Sequence, residues 1–223
     1  MRQYYEAYDD RYRQVHHEKL CWFEDMPSAI VGQAISRYRL DRNAKMLEIG
    51  CGEGRDARQL LRCGFDLLAT DVSSEAVAYC RQQDPEHGAN YQILDCLKDR
   101  CEGRFDFIYA VAVVHMLVLD EDRDGFYRFI REHLADDGIA LICSQGDGEM
   151  ERSTDISAAF ELQERVHSRS GKAMQLAGTS YRAVSFEIFQ DEIQRNGLEI
   201  LEMGLTDITP IYWKTMYAIV KRI

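Results

Sequence analysis

At 223 residues, with 46% hydrophobic and 29% charged side chains, the chain can close a sizeable apolar core, which excludes a disordered or fibrous protein. A formal net charge of −11, from 38 acidic against 27 basic residues, opposes broad contact with a phosphate backbone, so no nucleic-acid partner is expected and a small-molecule substrate is favoured. No apolar run approaches the roughly 18 residues of a membrane span, and MRQYYEAYDD lacks the layout of a signal peptide, so a cytoplasmic protein with no membrane partner is expected.

In chain order, Tyr5, Tyr8 and Tyr12 recur at helical spacing and predict a short amphipathic helix from Gln3 to about Arg13. Asp25 and Pro27 mark the start of a second helix that continues through Ile30, Ile35 and Tyr38 to about Arg39. Arg37, Arg39 and Arg42 read as its solvated end. After Asn43 compact apolar runs alternate with helical stretches. MLEIG is followed by a helix through Ala57, Leu60 and Leu61, then FDLLATD, then a helix from Ser73 to Gln83. Strands follow at 91–94, 105–111 and 138–144, with a helix through Phe126, Phe129, Ile130 and His133 between the last two.

Such alternation implies right-handed crossovers and an α/β fold: a Rossmann-like, mostly parallel sheet covered by helices on both faces. Residues 145–185 interrupt it with a polar, Gly-containing insert around one predicted helix, Ile156 to about Ser168. Its place beyond a strand end makes it a candidate lid. A helix near 187–195, a stop at Asn196-Gly197 and strands at LEILEM and WKTMYAIV complete the chain. One domain over 1–223 is expected, with a cap at 1–43. The seven cysteines are scattered without a CxxC pair, and Cys51, Cys63, Cys80 and Cys143 read as reduced core thiols.

The chemistry concentrates in MLEIGCGEGRDA, an apolar strand that runs into Gly50, Gly52 and Gly54 and straight on into a helix. Such glycines let the backbone turn sharply and approach a ligand, while the N–H groups at the helix start face it. A dinucleotide fingerprint needs GxGxxG, whereas this spacing is GxGxG with Arg55 in the next position. Asp71, ending the second strand, suits a ribose diol. Glu48 and the carboxylates flanking the loop around Cys51 would repel a pyrophosphate but suit a ligand carrying a sulfonium, an amino group and a ribose. Each residue also has a plainer explanation. The glycines form turns, Asp71 caps the helix near Ser73, and Asp95 is a loop carboxylate.

Taken in order, these motifs resemble the class I S-adenosylmethionine-dependent methyltransferase family. LEIGCGEG is similar to its first motif, Asp71-Val72 to its acidic second-strand end, Leu94-Asp95-Cys96 to its third motif and FDFIYAVAVVHML, with Val111, to its fourth. The resemblance implies a seven-stranded sheet and S-adenosylmethionine as cofactor. Gly50, Gly52 and Gly54 would line its methionine and ribose side, Asp71 would hold the ribose hydroxyls, and Val72 would pack on the adenine. Asp95 would accept from the adenine amino group, and Cys96 or Leu97 would form the pocket edge. GEGRDA with a histidine-bearing fourth strand also resembles the branch that includes tellurite-resistance and thiol or metalloid methyltransferases.

His115 is the candidate catalytic base, since a neutral imidazole can take a proton near pH 7; a helix-start or pocket-wall histidine is the plainer reading. The absence of an Asn/Asp-Pro-Pro-aromatic run argues against nucleobase or glutamine acceptors. Tyr4, Tyr5, Tyr8, Tyr12, Trp22 and Phe23, with Tyr181 and Arg182 of the insert, are candidates to close over a small-molecule acceptor. No metal is expected, because no cluster has ligand spacing and His16 and His17 point to different helix faces. A monomer or homodimer is expected. A noncatalytic S-adenosylmethionine-binding protein is the alternative, and an NAD-dependent oxidoreductase a weaker one.

Overall fold

The computed structural model describes residues 2–22, 26–167, 170–207 and 214–223. The predicted apolar runs become β1 (Lys45–Ile49), β2 (Asp66–Asp71), β3 (Tyr91–Ile93), β4 (Phe105–Val111) and β5 (Leu134–Gln145). Four short strands follow in the insert, β6 (Arg152–Ser153), β7 (Leu162–Val166), β8 (Ala173–Ala177) and β9 (Arg182–Ala183), and then β10 (Leu198–Thr206) and β11 (Thr215–Arg222). One seven-stranded sheet runs in the order β10-β11-β5-β4-β1-β2-β3. Strands β1 to β5 are mutually parallel, and β11 lies antiparallel between β5 and β10. Strand order reverses at β1, which has β2 on one side and β4 on the other. Open α/β sheets leave a crevice at such a reversal, beyond the strands' carboxyl ends.

The helices are α1 (Ala7–His17), α2 (Ala29–Arg37), α3 (Arg55–Arg62), α4 (Ser74–Gln83), α5 (Asp120–His133) and α6 (Phe186–Arg195). In α3 the i, i+3, i+4 set Ala57, Leu60 and Leu61 is buried, and it packs with α2 and α4 over Met46, Leu67, Phe107 and Tyr109. Alternate residues of the same strands, Leu47, Ile49, Ile108 and Ala110, face the opposite core with Phe126, Phe129 and Phe189 of α5 and α6. Burial on both faces explains why FDFIYAV has no alternating polar positions after Asp106. Among the described residues no helix is long and apolar enough to cross a membrane.

The cap differs from expectation. A 3-10 turn at Tyr4–Glu6 precedes α1, which continues to His17 instead of ending near Arg13. Asp25, taken as a helix-start signal, lies outside the described residues, as do Phe23 and Trp213. Among the described residues of the insert, 156–167 form no α-helix where one was expected to Ser168. A 3-10 turn at Ile156–Ala158 gives way to a two-stranded ribbon, β7 with β8. Leu176 and Met174 on alternate positions of β8 bury against Val15 of α1, so a period-2 pattern that needs a partner from elsewhere in the chain decides the local structure. The cap is thus one helix laid on a β ribbon. Cys51, Cys80 and Cys143 are buried as expected, but Cys63 is exposed because it caps the end of α3.

One ion pair is wholly enclosed. Arg123 of α5 donates from Nε and Nη2 to the two carboxylate oxygens of Glu192 in α6, both at 2.6 Å, and both side chains are solvent-inaccessible. Its Nη1 donates to the carbonyls of Val114 and Leu117, and Tyr127 completes the Glu192 oxygen. The pair therefore clamps the turn that follows β4. Removing one partner leaves a buried charge without compensation, at about 3–5 kcal/mol. Glu192→Gln is expected to lower the unfolding free energy in urea by that amount; a loss under about 1 kcal/mol would contradict the clamp.

Candidate active site

Gly50 and Gly52 take left-handed conformations, with φ of +72° and +54°, that a side chain adopts only at a cost. Space forbids one as well. A Cβ on Gly50 would lie 2.5 Å from Val113, and one on Gly52 would lie 2.7 Å from the Tyr12 hydroxyl. The loop is therefore a close-fitting floor at the end of β1. Asp71, at the end of the neighbouring β2, is 7% exposed and accepts from the Gly52 N–H on Oδ2 and the Ser73 N–H on Oδ1, each at 2.8 Å. Each carboxylate oxygen has a second lone pair, so the two backbone donors orient the group without exhausting it. Burial pushes the Asp71 carboxyl up to about 6, against the opposing effect of the Ser73 and Gly52 N–H groups. The plainer reading of Asp71 as a cap is only half right, because Ser73 is itself the N-cap of α4.

A narrow cleft of about 70 Å³ opens above this floor. Of the expected cofactor residues, Gly50, Asp71, Val72, Asp95, Cys96 and Leu97 line it. Asp95 is already engaged. Its Oδ2 accepts from Tyr5 and Lys98, both at 2.9 Å, and its Oδ1 from the Leu97 N–H. The roof is α1 and the turn before it, which contribute Tyr5, Tyr8 and Tyr12. Tyr5 and Tyr12, expected to cover an acceptor, lie instead over this cleft.

Four expected cofactor residues stand behind the cleft instead of in it. Glu48 is buried on the α2–α4 side of the sheet, where it accepts from Tyr109 at 3.0 Å, and burial holds its carboxyl well above the usual range. Cys51 faces Cys80 under the loop, Gly54 packs on Cys80 and Tyr91 as the cap of α3, and Val111 belongs to the α2–α4 core. Strand alternation explains Glu48, whose side chain shares a face with Met46. Ile49, Leu94, Val113, Met116 and Leu117 line the cleft and were not anticipated. Only their position at strand ends could have signalled them.

A second cavity, of about 340 Å³, adjoins the first and shares Tyr8 and Met116 with it. His115, Trp22 and Tyr181, which the sequence suggests as acceptor residues, line it with Arg11, Gln145, Arg152, Thr154 and Arg165. Ala112, in the left-handed region at φ +61°, turns the chain out of β4 into the 3-10 turn Val114–Met116 that carries His115. The His115 ring lies 5.7 Å from that of Tyr181, edge to face, and its buried Nδ1 has no partner. Burial, with Arg123 nearby, pushes its imidazole down to about 3. It is neutral at any physiological pH but does not titrate near 7, so the expected match between its pKa and a base at neutral pH is not met. Arg182, expected as an acceptor residue, lines neither cavity. It donates to the Val118 carbonyl at 2.8 Å and to Asp120 at 2.6 Å, turned towards the start of α5.

Two sets of contacts hold α1 over both spaces. Asp9 accepts from Ser73, Ser74 and the Glu75 N–H, capping α4 from outside. His16 bridges Glu53 through Nε2 and Glu75 through Nδ1, each at 3.0 Å, and stacks on Tyr79.

Residues 47–140 match the family described as "Methyltransferase domain". Over 117 residues the chain is 25% identical to a Haemophilus influenzae protein named "Probable S-adenosyl-L-methionine-dependent methyltransferase TehB", a match covering 52% of this chain and 41% of that protein. The chain thus spans under half the length of that relative. Among solved structures it is similar to the CcbJ methyltransferase of Streptomyces caelestis, at a TM-score of 0.68 and 16% identity over 99% of this chain and 98% of that one. A TehB-like S-adenosylmethionine-dependent methyltransferase of Corynebacterium glutamicum matches at 0.59 and 20% identity, over 98% and 97%. At such identities these structures establish the fold.

Although burial lowers it, the Glu53 and Glu75 carboxylates raise the His16 pKa overall above 6.5. A histidine so raised stabilises the fold fully below its unfolded pKa, near 6.5, and ceases to do so as pH rises through the folded value. The difference in melting temperature between wild type and His16→Ala is therefore expected to be largest at pH 6 and to shrink by pH 9; a difference that stays constant would contradict the bridge.

Proposed function

We propose that the chain, whose residues 47–140 match the methyltransferase-domain family, transfers the methyl group of S-adenosylmethionine to a small-molecule acceptor held in the cavity beside His115. The observation that carries this reading is the Asp71 carboxylate, fixed by two backbone N–H groups over a glycine floor, in a cleft that shares Tyr8 and Met116 with a second cavity.

The residues fit the cofactor. The second lone pairs of Asp71 can accept from a ribose diol, Val72 and Leu97 offer apolar walls to adenine, and the close-fitting loop at Gly50 and Gly52 admits backbone contact only. Asp95 can meet the adenine amino group by sharing Oδ1, since Oδ2 holds Tyr5 and Lys98. When bound, S-adenosylmethionine supplies a methyl group on a positively charged sulfur. The chain's own task is then to position an acceptor and keep water away. The tyrosines of the cap and the apolar side chains of Val113, Met116 and Leu117 exclude water. His115 lines the cavity and, being neutral, places no charge against the acceptor. The residues of the cap, α1 and the ribbon, serve as a cover over both spaces.

Calorimetric titration tests the cofactor half. Wild type is expected to bind S-adenosylmethionine and S-adenosylhomocysteine and not NAD, and Asp71→Ala to weaken both about tenfold to a hundredfold by loss of charge-assisted hydrogen bonds. Undiminished binding in the variant would contradict the assignment. Because the Asp71 carboxyl lies near 6, affinity is expected to hold from pH 8 to 7 and fall below 6, by up to tenfold per unit, as protonation removes an acceptor. Release of S-adenosylhomocysteine with any acceptor supports the transferase over the noncatalytic alternative; tight cofactor binding with no product across a broad panel would favour that alternative.

A further inference from the structure

The second cavity has an unusual charge. Arg11 of α1, Arg152 of β6 and Arg165 of β7 converge on it from three elements, and among the described residues no carboxylate lines it. In a chain with 38 acidic against 27 basic residues, such a wall runs against the overall composition. Other surface arginines meet acids: Arg13 pairs with Asp9 and Asp10, Arg195 with Asp124 and Asp191, and Arg222 with Asp136. Among the described residues Arg152 has no ion pair, and Arg165 donates only to the Gln163 side chain. The nearby Asp147 is turned into its own loop, accepting from the Glu149 and Met150 N–H groups.

The rest of the wall is aromatic and uncharged. The Arg11 guanidinium is held by the Ala177 and Gly178 carbonyls, 5.0 Å from the Trp22 ring centroid and 5.4 Å from that of Tyr8. Tyr181 and His115 form an edge-to-face pair, and the buried His115 Nδ1 has no partner among the described groups. Guanidinium groups match anionic oxygen pairs in a fork geometry, and aromatic walls suit a planar body.

We propose that the acceptor is a small planar molecule bearing an anionic oxygen group, carboxylate or phosphate, which Arg152 and Arg165 bind while the rings of Tyr8, Trp22 and Tyr181 enclose its body. This rests on the methyltransferase reading for the word acceptor; the anion preference itself rests on the cavity.

The test uses benzoate, phenyl phosphate and neutral benzamide as probes, titrated into the full chain with and without S-adenosylhomocysteine. At least one anion is expected to bind tenfold or more tightly than benzamide, and the better of the two identifies the oxygen group. The Arg152→Gln/Arg165→Gln double variant is expected to lose that preference while its far-UV spectrum and melting temperature stay those of wild type. Equal affinity for benzamide, binding of none of the three, or a preference that survives in the double variant would overturn the proposal. An anion preference without any binding of S-adenosylhomocysteine would uphold the anion site and overturn the transferase reading instead.

Discussion

The carboxylate of Asp71 is where three segments of the chain meet. Its Oδ2 holds the Gly52 N–H of the loop after β1, and its Oδ1 holds the Ser73 N–H at the start of α4. Ser73 in turn donates to Asp9 of α1. The floor, the side and the roof of the cofactor cleft are thus hydrogen-bonded in series through one buried acid. Burial makes ionisation of that acid harder, while the backbone donors favour it. The group is left acidic enough to be ionised at neutral pH and dry enough for a further hydrogen bond to be strong.

A second constraint acts from the other side of the sheet. Arg123 and Glu192 are inaccessible to solvent, and the guanidinium fixes the carbonyls of Val114 and Leu117, either side of His115 and Met116. The same charge helps to keep His115 neutral. The position of one cavity residue therefore depends on a pair of charges in α5 and α6, while its neutrality comes first from burial and then from Arg123. Met116 and Tyr8 form the boundary between the two spaces, so the clamp also sets the wall that a transferred group would have to pass.

The sheet was legible because parallel strands buried on both faces are written as continuous apolar runs; FDFIYAV coincides with β4 to the residue. The glycine loop and Asp71 were legible because left-handed turns and strand-end acids leave few alternatives of residue type. The motif-like residues Glu48, Cys51, Gly54 and Val111 mark the loop's scaffold, and only the direction of each side chain separates them from the lining. Over 156–168 the sequence suggests a helix where the chain forms β7, because the strand that pairs with it, β8, lies further along and is itself anchored on Val15 of α1. Arg182 pairs with Asp120 across 62 residues and Arg123 with Glu192 across 69, and neither pairing has a local signature. Tyr12 of α1 and Tyr5 of the turn before it lie over the cleft beside Asp71 and do not line the second cavity, which Tyr8 reaches.

Hydrogen exchange with and without S-adenosylhomocysteine tests most directly the claim that the β1 loop, Asp71 and α1 act as one cofactor site. The account predicts slower exchange on binding at 50–54, 71–75, 94–97 and 4–17 together. Protection confined elsewhere, or protection of the loop with α1 unchanged, would contradict it.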